Sequence, residues 1–199
     1  MASEAQKITS AATSINSKRV PRLFGLIKDW RQGTHNLDYG GGRYDTATTY
    51  LAARGVTNHI YDPYNRSEEE NRAALDYYDY DTCTISNVLN VIQGHKARVQ
   101  ALTKALTRIK DGGKVYITVY EGDKSRIGRE TKKDCWQENQ PLSTYYVEID
   151  HLVSRLNWML RDQGLWFHAE KRGGMITITV HRKPSEIGKG ELEKWIIIS

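Results

Sequence analysis

An acidic residue followed by a glycine cluster is the first feature of the chain that could form a ligand-binding site. Asp38-Tyr39-Gly40-Gly41-Gly42 lies where a short apolar strand pattern gives way to a helix-like stretch. Glycines let a ligand approach the backbone, and the first N–H groups of a helix have no partner within it. A pyrophosphate site shows the spacing G-x-G-x-x-G, whereas the spacing here is D-x-G-x-G. Because a carboxylate repels phosphate and attracts ammonium, the cluster favours a ligand that carries an amine and a carboxylate.

Two further acids follow the ends of expected strands. Asp62 ends the second strand pattern, where an acid in nucleotide-binding α/β sheets accepts hydrogen bonds from ribose hydroxyls. A competing interpretation is a simple Asp-Pro turn formed with Pro63. Asp76 follows at the end of what should be a short third strand, where it could accept a hydrogen bond from an adenine amine.

The elements that must position these residues alternate between strand and helix patterns. Ser67 and Glu70 form a capping box at the start of a helix over residues 67–75. Two strands, 165–171 and 175–182, flank Arg172-Gly173-Gly174 as an antiparallel hairpin. The pattern predicts an α/β fold: a Rossmann-like, mostly parallel sheet with helices on both faces and a C-terminal antiparallel hairpin.

Length and composition predict one domain with short appendages. The chain has 199 residues, a net charge of +5 and an isoelectric point near 9.1, which is compatible with an acidic partner. We expect a flexible basic tail over 1–19, the main domain over 20–183 with a substrate lid at 121–146, and a C-terminal extension over 184–199. No apolar stretch approaches the roughly 18 residues of a membrane span, and the N-terminus has no secretory pattern. We therefore expect no membrane partner and a cytoplasmic location.

Four motifs in order resemble the class I S-adenosylmethionine-dependent methyltransferases. They are the Asp38 glycine cluster, Tyr61-Asp62-Pro63, Tyr80-Asp81-Thr82 leading to Ser86-Asn87-Val88-Leu89-Asn90-Val91-Ile92, and Lys110-Asp111-Gly112-Gly113-Lys114-Val115. The N-V-L-N-V-I segment is similar to a branch of bacterial and phage proteins of unassigned substrate. Two positions depart from the family: Tyr44 replaces the third glycine of the first motif, and Asp111 replaces a proline of the last.

The resemblance implies S-adenosylmethionine as cofactor and assigns residues to its parts. Asp38 and the glycines Gly40, Gly41 and Gly42 would hold its methionine end. Asp62 and Pro63 would lie at the ribose, and Asp76 or Tyr77 at the adenine. Ser86 and Asn87 would lie beside the sulfonium methyl and are the candidate catalytic residues. An aromatic pocket suits the dispersed charge of methyl transfer, and its candidates are Tyr39, Tyr44, Tyr61, Tyr64, Tyr120 and Tyr145.

The sequence limits the possible methyl acceptors chiefly by excluding some classes of them. The segment after the fourth strand lacks the prolines and aromatic residue of enzymes that methylate base amines, and it lacks the Pro-Cys nucleophile of cytosine C5 methylation. Tyr120, Lys124, Arg126 and Trp136 are the candidate acceptor-binding residues in the lid, although its interleaved acids also suit a solvated loop. The basic tail and the lid favour a nucleic-acid or nucleotide acceptor, with a small molecule as the alternative.

Two other function classes stay open. One is a non-catalytic protein that binds the cofactor or serves as a scaffold. The other is a nicotinamide-dependent enzyme, against which Asp38 and the closing hairpin weigh. The histidines show no ligand spacing, so no metal site is expected, and the sequence does not determine the oligomeric state.

Overall fold

A six-stranded sheet lies at the centre of the computed structural model, which describes residues 18–132 and 135–182. The strand order is β2-β1-β3-β4-β8-β7, and β5 and β6 form a separate two-stranded sheet. The strands are β1 (His35–Tyr39), β2 (Thr57–Tyr61), β3 (Tyr80–Ser86), β4 (Ile109–Thr118), β5 (Arg129–Lys132), β6 (Cys135–Gln137), β7 (Leu165–Arg172) and β8 (Met175–Arg182).

Strand directions confirm the predicted fold class. Strands β2, β1, β3 and β4 pair in parallel, while β8 runs antiparallel to both β4 and β7. The predicted hairpin is therefore present, and it places a reversed strand within the sheet. A plain dinucleotide-binding sheet has the all-parallel order 3-2-1-4-5-6, so this inserted strand is a departure from it.

Helices cover both faces of the sheet. They are α1 (Arg22–Leu26), α2 (Thr46–Ala52), α3 (Glu68–Asp76), α4 (His95–Leu106) and α5 (Leu142–Leu160). Residues of α3, α4 and α5 contribute to the larger buried cluster, and α1 and α2 pack with Tyr116 in a smaller one on the other face. Parallel strands buried from both sides hold their loops firmly, and the loops at the carboxyl ends of the strands form the site.

Two stretches differ from prediction. The helix with the capping box is confirmed, but it continues to Asp76, and the expected short third strand is absent. The lid segment, read as loop-like, contains the β5–β6 hairpin. The predicted extension 184–199 and all but two residues of the predicted 1–19 tail lie outside the described residues. Among the residues that the structure describes, no helix is both long and apolar enough to cross a bilayer.

The free edge of the sheet at β7 is covered by side chains of α5. Asn157 donates from Nδ2 to the Phe167 carbonyl at 2.8 Å and accepts from the Phe167 N–H at 2.7 Å. Tyr146 donates to the Ala169 carbonyl at 3.4 Å. Unpaired edge groups invite pairing with other chains, so these contacts both hold α5 and block the edge.

Replacement of Asn157 by Ala should therefore cost stability. It leaves one backbone donor and one acceptor without their partner, so we expect the free energy of unfolding to fall by about 1–3 kcal/mol. Urea denaturation followed by circular dichroism measures this. His151→Ala, at an exposed position of the same helix, is the control. Equal midpoints for the two variants would show that the Asn157 contacts contribute nothing.

Candidate functional site

A cleft of about 970 Å³ opens at the carboxyl ends of the parallel strands. Its volume lies at the upper end of the roughly 300–1,000 Å³ typical of ligand sites. The wall residues come from the loops after the first four strands and from the β5–β6 hairpin, with Arg19, Val20 and Pro21 at the rim. This is the edge at which ligands bind in open α/β sheets.

The glycine cluster forms a tight turn between β1 and α2. Gly40 and Gly42 have φ of +80° and +77°, a region that favours glycine. A Cβ on Gly40 would overlap the Val88 side chain, so the missing side chain lets the loop after β3 close onto the turn. A Cβ on Gly41 would lie 2.5 Å from Asp38 Oδ2, on the inner side of the turn.

Asp38 lies behind this turn rather than on the cleft wall. Its side chain is buried, with 1% of the residue exposed, and Oδ1 accepts a hydrogen bond from Thr84 Oγ1 at 3.0 Å. Oδ2 is buried and has no hydrogen-bond partner. Burial above all, with the nearby Asp62 carboxylate, raises the pKa of Asp38 to about 7, against the lowering effects of Thr84 and Arg66. The sequence predicted a direct contact between Asp38 and the ligand; the structure places this carboxyl beside Gly41 and outside the cleft lining.

Asp62 ties the glycine turn to the end of β2. Its Oδ2 accepts from the Gly42 N–H at 2.9 Å, and Oδ1 accepts from the backbone N–H groups of Tyr64 and Asn65 at 3.0 and 3.1 Å. Asp62 and Pro63, the residues predicted to lie at the ribose, both line the cleft. The carboxylate already accepts several hydrogen bonds, so a ribose hydroxyl would share it with the turn.

Ser86 and Asn87 meet the glycine turn from the next strand. Both line the cleft at the carboxyl end of β3, and Asn87 has a φ of +57°. The Asn87 N–H donates to the Thr118 carbonyl at 2.9 Å, which fixes the loop to β4. A left-handed conformation outside glycine points to a functional position, although asparagine adopts it more easily than most residues.

The β5–β6 hairpin supplies the opposite wall. Arg129 and Trp136 of the hairpin line the cleft together with Tyr120, which follows β4; Tyr120 and Trp136 are two of the predicted acceptor-binding residues. Lys124 and Arg126 do not line it: Lys124 pairs with Glu121 at 2.8 Å, and both residues have positive φ in an exposed turn. For Lys124 and Arg126 the structure supports the interpretation as a solvated loop.

Sequence reasoning missed the residue that joins this wall to the loop after β3. Asn90 is buried, its Nδ2 donates to Gln137 Oε1 at 3.2 Å, and its Oδ1 accepts from the Tyr120 N–H at 3.4 Å. Its carbonyl accepts from the Glu138 N–H at 2.7 Å. A single polar residue inside the apolar run V-L-N-V-I was the available signal, because a buried amide must be hydrogen-bonded.

Asp76 and Tyr77 lie away from the cleft, which corrects the predicted adenine contacts. Asp76 is the last residue of α3. Tyr77 packs against His35, the first residue of β1, at 5.1 Å between ring centroids, and against Tyr80, the first residue of β3, at 4.7 Å. Both partners begin their strands, so this cluster lies at the amino ends of the parallel strands, whereas the cleft lies at their carboxyl ends.

The predicted aromatic lining is largely present. Tyr39, Tyr44, Tyr61, Tyr64 and Tyr120 all line the cleft. Tyr145 instead lies buried in the core, with the Arg98 guanidinium 5.7 Å from its ring. Within residues 18–132 and 135–182, no group of three His, Cys, Asp or Glu side chains is arranged to hold a metal ion.

Comparisons with known proteins extend to the fold alone. No protein-family model matches the chain, and no curated protein matches it in sequence. A solved structure of a putative Zn-dependent alcohol dehydrogenase from Rhodobacter sphaeroides is 11% identical, with a TM-score of 0.53, and the match covers 90% of this chain and 97% of that one.

Two other solved structures carry methyltransferase names. A SAM-dependent methyltransferase from Methanosarcina mazei is 12% identical over 80% of this chain and 97% of that one, with a TM-score of 0.48. The 1,6-didemethyltoxoflavin-N1-methyltransferase of Burkholderia thailandensis, solved with S-adenosylhomocysteine, is 16% identical over 77% and 72%, with a TM-score of 0.45. At such identities the function must be argued from the site of this chain.

The buried carboxyl of Asp38 predicts a specific pH dependence of stability. Its pKa is about 7 in the folded protein and near 3.8 when exposed, so the folded state keeps a proton that the unfolded state releases. The free energy of unfolding is therefore unaffected by this group below pH 4. It falls by up to about 4 kcal/mol as the pH rises to 7, because the unfolded state then loses the proton more readily. We expect Asp38→Asn to remove this decline and to unfold at higher urea concentration than the wild type at pH 8. Parallel pH profiles for the two proteins would contradict the assignment.

Proposed function

We propose that this protein is an S-adenosylmethionine-dependent methyltransferase. The observation that carries the proposal is the Asp38 carboxyl behind the glycine turn, with one oxygen that lacks any hydrogen-bond partner. A carboxylate there opposes a pyrophosphate at the turn and favours the cationic amine of a methionine moiety. Ser86 and Asn87 lie next to the same turn and line the same cleft.

The residues present fit the cofactor. The turn of Gly40, Gly41 and Gly42 would receive its methionine end, and Asp62 would receive the ribose hydroxyls. In place of Asp76 and Tyr77, the adenine would lie against the apolar part of the cleft wall that contains Tyr61, Val88, Val91 and Ile92. These side chains offer a flat ring the aromatic and aliphatic contacts that it prefers.

The work left to the chain is alignment. S-adenosylmethionine, once bound, would supply a methyl group activated for transfer by its sulfonium sulfur. Asn87 and Ser86 would hold the acceptor atom in line with the bond between that methyl group and the sulfur, and the tyrosines of the cleft would surround the dispersed positive charge.

For the acceptor we propose a nucleotide or a nucleic acid. Tyr120, with 61% of its surface exposed, offers a ring for stacking at the mouth of the cleft, and Arg129 on the hairpin offers a cation. Aromatic and basic side chains together are typical of nucleotide contacts. A small molecule is the alternative, because Trp136 and the hairpin form a wall of the cleft.

Two other classes compete with this proposal. A nicotinamide-dependent enzyme agrees with the name of the Rhodobacter sphaeroides structure, but the buried Asp38 and the reversed strand β8 oppose a pyrophosphate-binding site of the plain type. A non-catalytic cofactor-binding protein would share the glycine turn and would fail only in transfer.

Calorimetric titration with S-adenosylmethionine, S-adenosylhomocysteine and NAD tests the proposal. We expect micromolar binding of the two sulfur compounds, which is about −8 kcal/mol, and no heat from NAD. Binding of NAD alone would favour the dehydrogenase. Binding of the sulfur compounds without methyl incorporation into nucleotides, RNA, DNA or a small-molecule panel would favour the non-catalytic protein.

Replacement of Gly40 by Ala should abolish cofactor binding. The alanine must keep the φ of +80° that Gly40 has, and its new Cβ would overlap Val88. The turn and the loop after β3 would therefore move apart. Gly174→Ala is a matched control, since Gly174 has the same φ and nothing lies within 4 Å of a new Cβ. Both variants lose about 1–2 kcal/mol to backbone strain, but only Gly40→Ala should lose affinity for S-adenosylhomocysteine in the titration. Equal affinities would contradict the site.

A further inference from the structure

Arg66 holds the glycine turn from behind. Its Nε donates to the Gly42 carbonyl at 2.9 Å, its Nη2 lies 2.7 Å from Asp45 Oδ1, and its Nη1 lies 3.3 Å from Glu70 Oε1. The Arg66 side chain is 10% exposed and does not line the cleft. One guanidinium therefore joins the turn, the start of α2 and the first turn of α3.

Arg66 acts together with Asp62 on a single residue. The Gly42 N–H donates to Asp62 Oδ2 at 2.9 Å, while the Gly42 carbonyl accepts from Arg66. The Arg66 N–H in turn donates to the Asp62 carbonyl at 3.1 Å, and Asn71 Nδ2 donates to the Arg66 carbonyl at 3.2 Å. The loop after β2 thus grips Gly42 from both sides, with a charged group on each side.

The grip matters because Gly42 has no side chain of its own to hold it. At a φ of +77° it occupies a conformation that glycine leaves at little cost. Hydrogen bonds to charged groups are stronger than those between neutral groups, and the Arg66 side chain that donates to Gly42 is only 10% exposed. The turn is thereby kept in one shape before any ligand arrives, which lowers the cost of binding.

We propose that Arg66 is a positioning residue for ligand binding at the glycine turn, and that it acts through Gly42 without touching the ligand. The proposal rests on the proposed function for the identity of the ligand. The role has a geometric signature: loss of Arg66 and loss of the Asp62 side-chain contact should weaken binding through the same residue, so their effects should not add.

The binding test is titration of Arg66→Met with S-adenosylhomocysteine. We expect affinity to fall by roughly tenfold or more, the scale of one lost charged hydrogen bond. Arg66→Lys keeps the charge but loses the fork that spans Gly42 and Asp45, so it should recover only part of the loss. Arg72→Met is the matched control, since Arg72 pairs with Glu68 at 67% exposure and should leave affinity unchanged. Wild-type affinity in Arg66→Met would overturn the proposal.

A double-mutant cycle separates positioning from general destabilisation. Arg66→Met should weaken binding less in an Asp62→Asn background than in the wild type, whereas additive losses would overturn action through Gly42. Should Arg66→Met not fold, Asp45→Asn removes only the outer ion pair, at a side chain that is 69% exposed, and should give a smaller loss in the same direction.

Hydrogen exchange without ligand distinguishes failure of this inference from failure of the proposed function. Arg66→Met should accelerate amide exchange over residues 40–45 and leave α4 unchanged, even if the wild type binds no S-adenosylhomocysteine. Unchanged exchange over residues 40–45 would overturn the positioning role. If exchange is accelerated in Arg66→Met and the wild type binds no S-adenosylhomocysteine, the positioning role of Arg66 is supported and S-adenosylmethionine is rejected as the cofactor.

Discussion

The site depends on the constraint that a flexible glycine turn must be held in one shape at the carboxyl edge of the sheet. Asp38 lies beneath the turn, Val88 closes onto Gly40, and Asp62 and Arg66 bond the two ends of the Gly42 residue. The contacts come from β1, from the loop after β2 and from the loop after β3, so the turn keeps its shape only while these parallel strands hold their register. The cleft is an outcome of that register.

Burial of Asp38 gives the turn its electrostatic character. A carboxyl that lacks water and has one hydroxyl donor holds its proton to a pKa of about 7. Such a group costs stability when ionised, and a native protein retains that cost chiefly at sites where the charge is used. A cation at the turn would favour the ionised form, so the burial that makes the charge costly also strengthens the attraction for a cationic ligand.

Local patterns predicted the fold well, and long-range geometry accounts for the errors. The capping box of Ser67 and the hairpin around Gly173 depend on neighbouring residues, and both are present. The third strand failed because nothing local distinguishes a short strand from the end of a helix, and Asp76 ends α3. Lys124 and Arg126 have the right charge for a lid, yet both lie in an exposed turn and neither lines the cleft.

The sequence predicted which residues reach the candidate site more accurately than it predicted the contacts that they make there. The glycines, Asp62, Pro63, Ser86 and Asn87 all reach the cleft. The orientation of Asp38 could not be read from its type, because it depends on how Gly41 and Thr84 pack around the carboxyl. Asn90 and Arg66 were missed because their roles lie in bonds to residues of other elements.

A crystal structure of the protein soaked with S-adenosylhomocysteine tests the central claim most directly. We predict density in the cleft with the amino-acid end at residues 40–42, the sulfur beside Asn87 and the ring against Tyr61 and Val88. Density at Asp76 and Tyr77, or a cleft without density at millimolar ligand, would contradict the account.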